Sequence, residues 1–307
     1  MKPDNALPDT MGRGLPLVDN ASILTPTTGY LKAGYTHTIN AYQGCAFAGA
    51  LCGTFCYAQH NRWITKGRPW GIYGAKRRVR EAYCHDYDRI KRPKRGEPRP
   101  LKIFMSSSTD PYVPQEKRLR LTRSLLDEMR ARPPDVLVIQ SHHTLVERDL
   151  DLIVELAESA EIWVSLTVET DMERIPGLPP HASSPKRRLE TLRMFRDRGV
   201  CTQATLSPLL PLADPTGFAQ QLDVACSRVI IDHYLIGDGS PNGWRTKRTA
   251  LPERLEAAGF GQWNQLERLA EIRDLMATVL GEERVLVGCK GFNTVGLSHG
   301  PGGLEDL

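Results

Sequence analysis

The chain has 307 residues, 40% hydrophobic and 25% charged, with a formal net charge of +4. That length can bury a core without disulfides, no run of 18 apolar residues is present to span a bilayer, and the opening MKPDNALPDTMGRGLP lacks the apolar stretch of a secretory signal. The expected location is therefore cytoplasmic, where an odd set of seven cysteines serves metals or catalysis more often than disulfides.

Residues 1–35 are rich in Pro, Gly and Thr and read as an irregular leader. THTINAY (36–42) is the first short run of β-branched and aromatic residues, the composition of a buried strand. It leads into NAYQGCAFAGALCGTFCYAQHN, which packs Cys45, Cys52 and Cys56 into twelve residues among Gly and Ala. Gly44, Gly49 and Gly53 supply backbone freedom for a tight loop there. From Lys76 to Arg99, ten Lys or Arg stand against four Asp or Glu. Such a run reads first as a solvated helix and linker and second as a phosphate-binding patch.

Further strand-like runs follow at LKIFMSS (101–107), DVLVIQS (135–141), EIWVSLTV (161–168), CTQATLSPL (201–209) and SRVIIDHYLI (227–236). RVLVGC (284–289) is a candidate seventh. Between them lie helical patterns at 115–131, 147–159, 185–198 and 252–280. The third repeats Leu189, Leu192 and Phe195 at three-residue steps, opens on Ser184-Pro185 and ends at Gly199.

Alternating strands and helices imply a parallel sheet with right-handed crossovers. The count suits an α/β fold, a partial (β/α)6 TIM-like barrel over 36–240, with 241–307 as a helical extension closing it. In such folds chemistry sits at the C-terminal strand ends. These ends are the cysteine loop, Ser106–Asp110, Ser141–His143, Thr167–Thr170, Pro208–Pro211 and Leu235–Gly239.

Isolated cysteines are small hydrophobes, and Cys84, Cys201, Cys226 and Cys289 read that way. The trio invites a metal. Structural zinc requires a fourth ligand, which His60 offers, so a Cys3His site in a non-catalytic nucleic-acid-binding protein is one reading. A four-iron cluster normally takes four thiolates. Three leave one iron open, which at a barrel mouth makes a catalytic site.

THTINAYQGC…CYA resembles the opening of the radical S-adenosylmethionine enzymes, in particular the branch similar to spore photoproduct lyase. SSSTDPYVPQEKRLRLTRSLL, VLVIQSHHTLVERDLDLI, VSLTVET, SPKRRLETLRMFRDRGV and LSPLLPLAD extend the resemblance over roughly residues 36–236. It departs in two places. The cysteine spacing is C-x6-C-x3-C where the family has C-x3-C-x2-C, and Gln140 stands where the family has Lys.

The resemblance implies a [4Fe–4S] cluster on Cys45, Cys52 and Cys56 whose open iron is chelated by S-adenosylmethionine. One electron from a donor such as flavodoxin or ferredoxin then releases a 5′-deoxyadenosyl radical, which abstracts hydrogen from substrate. It further implies that Tyr57, Ser106, Ser107, Ser108, Ser141, Ser165, Thr167 and Arg188 face the cofactor. His142 and Tyr234 are the candidates for proton movement or substrate contact. The loop DHYLIGDGSPNGWR (232–245), with Tyr234 and Trp244 able to stack on a base, is the expected substrate loop. The branch makes DNA repair or nucleobase modification the expected chemistry, beside a small-molecule or peptide substrate, with no membrane partner.

Overall fold

The chain was analysed as a computed structural model that describes residues 15–92 and 99–295. Its strands in chain order are β1 (Leu17–Val18), β2 (Leu24–Pro26), β3 (His37–Ile39), β4 (Tyr42–Gly44), β5 (Ile72–Lys76), β6 (Lys102–Met105), β7 (Val136–Ser141), β8 (Glu161–Thr167), β9 (Cys201–Leu206), β10 (Arg228–Ile231) and β11 (Val285–Val287). The helices are α1 (Leu51–Phe55), α2 (Arg62–Thr65), α3 (Val79–Lys91), α4 (Glu116–Leu119), α5 (Leu121–Ala131), α6 (Leu150–Leu156), α7 (Pro185–Asp197), α8 (Pro215–Ala225), α9 (Tyr234–Gly237), α10 (Trp244–Lys247), α11 (Leu251–Ala257), α12 (Leu266–Leu280) and α13 (Gly288–Phe292).

The main sheet runs β11-β10-β9-β8-β7-β6-β3-β2, parallel throughout except for β2 against β3. β7 and β8 read as near-continuous apolar runs because both faces are covered, as parallel strands require. The helices bury the residues their periodicity selects: Leu125, Leu126 and Met129 of α5, and Leu192 and Phe195 of α7. Ser184 caps α7 by accepting from Arg187 N at 3.3 Å.

Several expectations change. All seven candidate strands form, so the parallel set exceeds the six units expected. Among the described residues no ladder joins β2 to β11, and the sheet is open at both ends. The stretch read as an irregular leader supplies β1 and β2. β2 is pinned by the fully buried Asp86 of α3, whose carboxylate accepts from Ser22 Oγ, Ile23 N and Leu24 N at 2.7–2.9 Å. β11 lies in the expected C-terminal extension yet completes the sheet beside β10. The helix expected over 115–131 is split by Arg120, whose φ is 51°.

THTINAY does not continue as one strand. β3 stops at Ile39, and the chain swings into β4, which pairs antiparallel with β5 in a separate sheet ordered β1-β5-β4. Gly44 ends β4 and turns the chain into the cysteine loop. Its φ is +68°, and a Cβ there would sit 1.9 Å from Gly71 O. The cysteine loop therefore leaves the main sheet at its C-terminal edge.

Candidate functional site

A cavity of about 530 Å³ occupies the C-terminal ends of the parallel strands. Cys45, Cys52 and Cys56 all line it. Their loop is tight because a Cβ on Gly53 would lie 2.1 Å from Ala48 O, whereas one on Gly49 would meet nothing within 4 Å. His143 braces the loop from β7, stacking on Phe47 at 5.5 Å between ring centroids.

Burial pushes the Cys45 thiol up to about 12, helped by the Asp110 charge, and the Cys56 thiol up to about 11. Burial raises Cys52 well above its ordinary value, with Cys45, Glu169, Cys56 and Asp110 adding to it. Cys52 thus feels both other thiols, and as thiolates the three would require a positive centre in the cavity. Among the described residues no group of three or more His, Cys, Asp or Glu converges closely enough for a single metal ion. His60 does not line the cavity, and its Nε2 is buried without a partner. That removes the support for a Cys3His zinc site. A polynuclear cluster spreads its thiolates wider than one ion does, and the donor set of three sulfurs on one wall fits it.

Of the residues expected to face a cofactor, Tyr57, Ser106, Ser107, Ser108 and Thr167 line the cavity. Tyr57 OH donates to Ser107 O at 2.7 Å. Asn40 clamps the serine turn, donating to Ser107 Oγ at 3.2 Å and accepting from Ser108 N at 3.2 Å. Ser106 holds a φ of 89°, and its hydroxyl donates to Thr109 O. Gln140 also lines the cavity and donates to Thr167 Oγ1 at 2.6 Å and Thr205 Oγ1 at 3.0 Å. It offers the cavity a neutral amide.

Three expected residues lie elsewhere. Ser165 is fully buried between two amides, donating to Gln140 Oε1 at 2.7 Å and accepting from Gln203 Nε2 at 2.9 Å. The parallel sheet's packed interior leaves it no path to the cavity. Ser141 is spent on Asp110, to which its hydroxyl donates at 2.8 Å. Arg188 is 1% exposed and does not line the cavity. It donates to Glu169 Oε2 at 2.7 Å, to His181 Nδ1 at 3.0 Å and to Thr167 O. A guanidinium buried away from the cavity and already paired with a buried carboxylate is not placed to take a second one.

These misplacements reveal a network that sequence reading missed. His142 does line the cavity, with Nδ1 3.7 Å from Asp110 and Nε2 3.3 Å from Glu169. Burial alone would lower its pKa, but the two carboxylates reverse this and hold it at about 9. Burial would raise Glu169, yet Arg188 and then His142 hold it well below the carboxylate range. The ring of His142 thus faces both Asp110 and Glu169, an arrangement that favours its protonated form. The SSSTD and TVET segments were the available signals, since each places an acid just past a strand end.

On the opposite wall, Tyr234 lines the cavity, but its hydroxyl donates to Asn264 Oδ1 at 3.3 Å and its ring stacks on His233 at 4.6 Å. Asp232 stands beside it, accepting from Tyr30 OH at 2.9 Å and Ser207 Oγ at 3.3 Å. Burial pushes Asp232 up to about 6. Tyr30 comes from the leader and carried no signal for this role. Trp244 is 41% exposed and lies outside the cavity lining.

Fold and site together define a class: a parallel α/β protein with a three-thiol loop over a cavity at the carboxyl ends of its strands. No family model matches the chain. Among sequences, it is 32% identical over 182 residues to the uncharacterized protein MJ0683 of Methanocaldococcus jannaschii, covering 58% of this chain and 62% of that one. It is 33% identical over 168 residues to ORF301 of Acidianus two-tailed virus, covering 51% and 52%, and 24% identical over 221 residues to Rv2578c of Mycobacterium tuberculosis, covering 68% and 62%. The matches therefore span less than two thirds of the length of these relatives. Among solved structures, the fold is similar to spore photoproduct lyase complexed with dinucleoside spore photoproduct, with a TM-score of 0.56 at 14% identity over 88% of this chain and 81% of that one. A cysteine-to-alanine mutant of that lyase gives a TM-score of 0.53 at 13% identity, with the same coverage.

Proposed function

We propose that the chain is a radical S-adenosylmethionine enzyme of the spore photoproduct lyase-like kind. Cys45, Cys52 and Cys56 would hold a [4Fe–4S] cluster, and the substrate is a nucleobase or its conjugate, in repair or modification of DNA. The observation that carries this reading is three thiols lining one cavity, in a fold similar to that of spore photoproduct lyase. When bound, the cluster and S-adenosylmethionine supply one-electron cleavage of a carbon–sulfur bond and a carbon radical for hydrogen abstraction. An electron donor such as flavodoxin or ferredoxin belongs to the same reading, as does a cytoplasmic location. No helix among the described residues is long and apolar enough to cross a membrane.

The chain's own residues divide the work. The serine turn 106–108, fixed by Asn40 and capped by Tyr57, presents carbonyls and hydroxyls for an ammonium and a ribose. Thr167 and Gln140 offer neutral hydrogen bonds on the floor. Arg188 acts through Glu169, holding His142 as a donor beside the thiols. Tyr30 and Asp232 form a polar pair at the far wall, where substrate would lie. Residues 36–240 contribute most of the lining, and Arg245, Thr246 and Phe292 add to it from the later chain.

Anaerobic reconstitution with iron and sulfide tests the proposal. The expected product is a brown protein that forms 5′-deoxyadenosine after reduction. Replacing Cys45, Cys52 or Cys56 by Ala should abolish both colour and product, while Cys84→Ala and Cys289→Ala retain them. A colourless parent protein, or iron that depends on Cys84 or Cys289, would sink it.

A further inference from the structure

Two segments border the cavity mouth, and neither carries a carboxylate. No Asp or Glu occurs between Asp19 and Glu81, or between Asp238 and Glu253. The first segment continues from the cysteine loop through α2 and contributes Asn61 and Trp70 to the cavity wall. The second holds α10, which packs against the turn Tyr57–His60, and contributes Arg245 and Thr246. They expose Arg62, Lys66 and Arg68 on one side and Lys247 and Arg248 on the other. Among the described residues none of these cations, nor Arg245, has a carboxylate at ion-pairing distance. Arg245 spends Nη1 on two backbone carbonyls, Asp238 O and Gly239 O, so its charge stays uncompensated.

Each segment also displays an indole. Trp63 is 91% exposed, held on α2 with its backbone N–H capped by Asn61 Oδ1 at 3.0 Å. Trp244 is 41% exposed and flanked by the guanidinium groups of Arg248 and Arg245 at 5.5 and 5.9 Å from its ring. An indole so exposed gains nothing in folding, and unpaired cations around a mouth select a polyanion. Flat rings beside phosphate-seeking cations describe a binder of single-stranded nucleic acid, whose unpaired bases stack on aromatics without sequence preference.

Four cations of the basic run expected to play this part are paired elsewhere. Arg77 faces Asp19, Arg80 faces Glu128, Arg89 faces Asp86, and Lys91 faces Asp135, all within 3.5 Å. Residues 93–98 of that run lie outside the described residues.

We infer that Trp63 and Trp244, with Arg62, Lys66, Arg245, Lys247 and Arg248, form a landing strip for a single nucleic-acid strand that delivers an unpaired base to the cavity. The inference rests on the proposed reading for the cavity as reaction chamber, and on the surface itself for the strand.

The test is fluorescence anisotropy of a labelled twelve-nucleotide oligo-dT with the full chain. Binding should weaken roughly five- to a hundredfold in Trp63→Ala and again in Trp244→Ala, with Trp63→Phe largely restoring it. Arg62→Gln with Lys66→Gln should lower the slope of log affinity against log salt by about 1.4, the value for two phosphate contacts on a single strand. Arg80→Gln with Arg89→Gln should leave it unchanged. A duplex of matched length should bind more weakly. Indifference to both Trp replacements, equal sensitivity to the Arg80 and Arg89 pair, or binding of an acidic flavodoxin in place of the oligonucleotide would overturn the inference. Binding needs no turnover, so the two ideas fail separately. Lost strand binding with intact 5′-deoxyadenosine formation sinks the surface alone, whereas intact binding in a protein that takes up no iron sinks the enzyme alone.

Discussion

At the scale of single residues, charge balance in the cavity decides what each group can do. His142 is the clearest case, an imidazole held at about 9 by Asp110 and Glu169 although burial works against it. A group whose folded pKa exceeds its unfolded value of about 6.5 stabilises the fold fully below pH 6.5. That contribution drains away as pH rises through about 9. The parent should therefore outlast His142→Gln in urea by on the order of 2–3 kcal/mol at pH 6. The gap should close between pH 6.5 and 9. A gap that stays constant across that window would show that His142 is neutral or unpaired. Arg188 teaches the complementary lesson. It was expected to face the cofactor, but helix α7 turns it inward onto Glu169, whose other oxygen faces His142.

At the scale of elements, the sequence was readable wherever one period governed a segment. Strands β6 to β10 lie inside the expected runs because buried parallel strands need little besides continuous apolar residues, and α7 begins and ends at its Ser-Pro and Gly signals. Reading failed where tertiary contacts outweighed local pattern. β1, β2 and β5 are too short or too Gly-rich to announce themselves, and their ladders and the Asp86 clamp hold them. Helix α8 was missed although Asp214-Pro215 is a sound start, with Asp214 Oδ1 accepting from Gly217 N at 3.0 Å. The three thiols were legible from spacing alone, but the turn that aims them was not. The glycines of that loop differ in a way that only coordinates show. Gly53→Ala should drive a methyl into the Ala48 carbonyl, 2.1 Å away, and open the loop. Reconstituted iron per chain should then fall severalfold, while Gly49→Ala, which meets nothing, should bind iron as the parent does. Equal iron in both variants would mean that the loop's tightness is irrelevant to its ligands.

At the scale of the whole molecule, the open sheet has two edges, β2 and β11, and the cavity takes wall residues from β2 and from α13, the helix that follows β11. The chain between β2 and β3 supplies the link. Tyr30 reaches Asp232 beyond β10, its ring meets Phe292 at 5.7 Å, and its carbonyl accepts from Asn293 Nδ2 at 2.7 Å. Asn293 Oδ1 also accepts from Gly34 N at 2.6 Å, and a Cβ on Gly34 would sit 2.7 Å from the Asn293 backbone. The first strands and the last helix are thereby stitched across the cavity, doing by side chains what ladder closure does in a full barrel. Asn293 is the knot, because one amide serves both ends of the strap. Asn293→Ala should cost about 1–2 kcal/mol, the usual toll for leaving a part-buried donor and acceptor unpaired. Its sharper signature is local. Backbone amides of residues 27–35 should exchange with deuterium faster in the variant, while those of β7 and β8, at the centre of the sheet, stay as protected as in the parent. Uniform acceleration would mean that the strap is part of the global fold, and unchanged exchange at 27–35 would mean that Tyr30 and Asp232 hold it without Asn293.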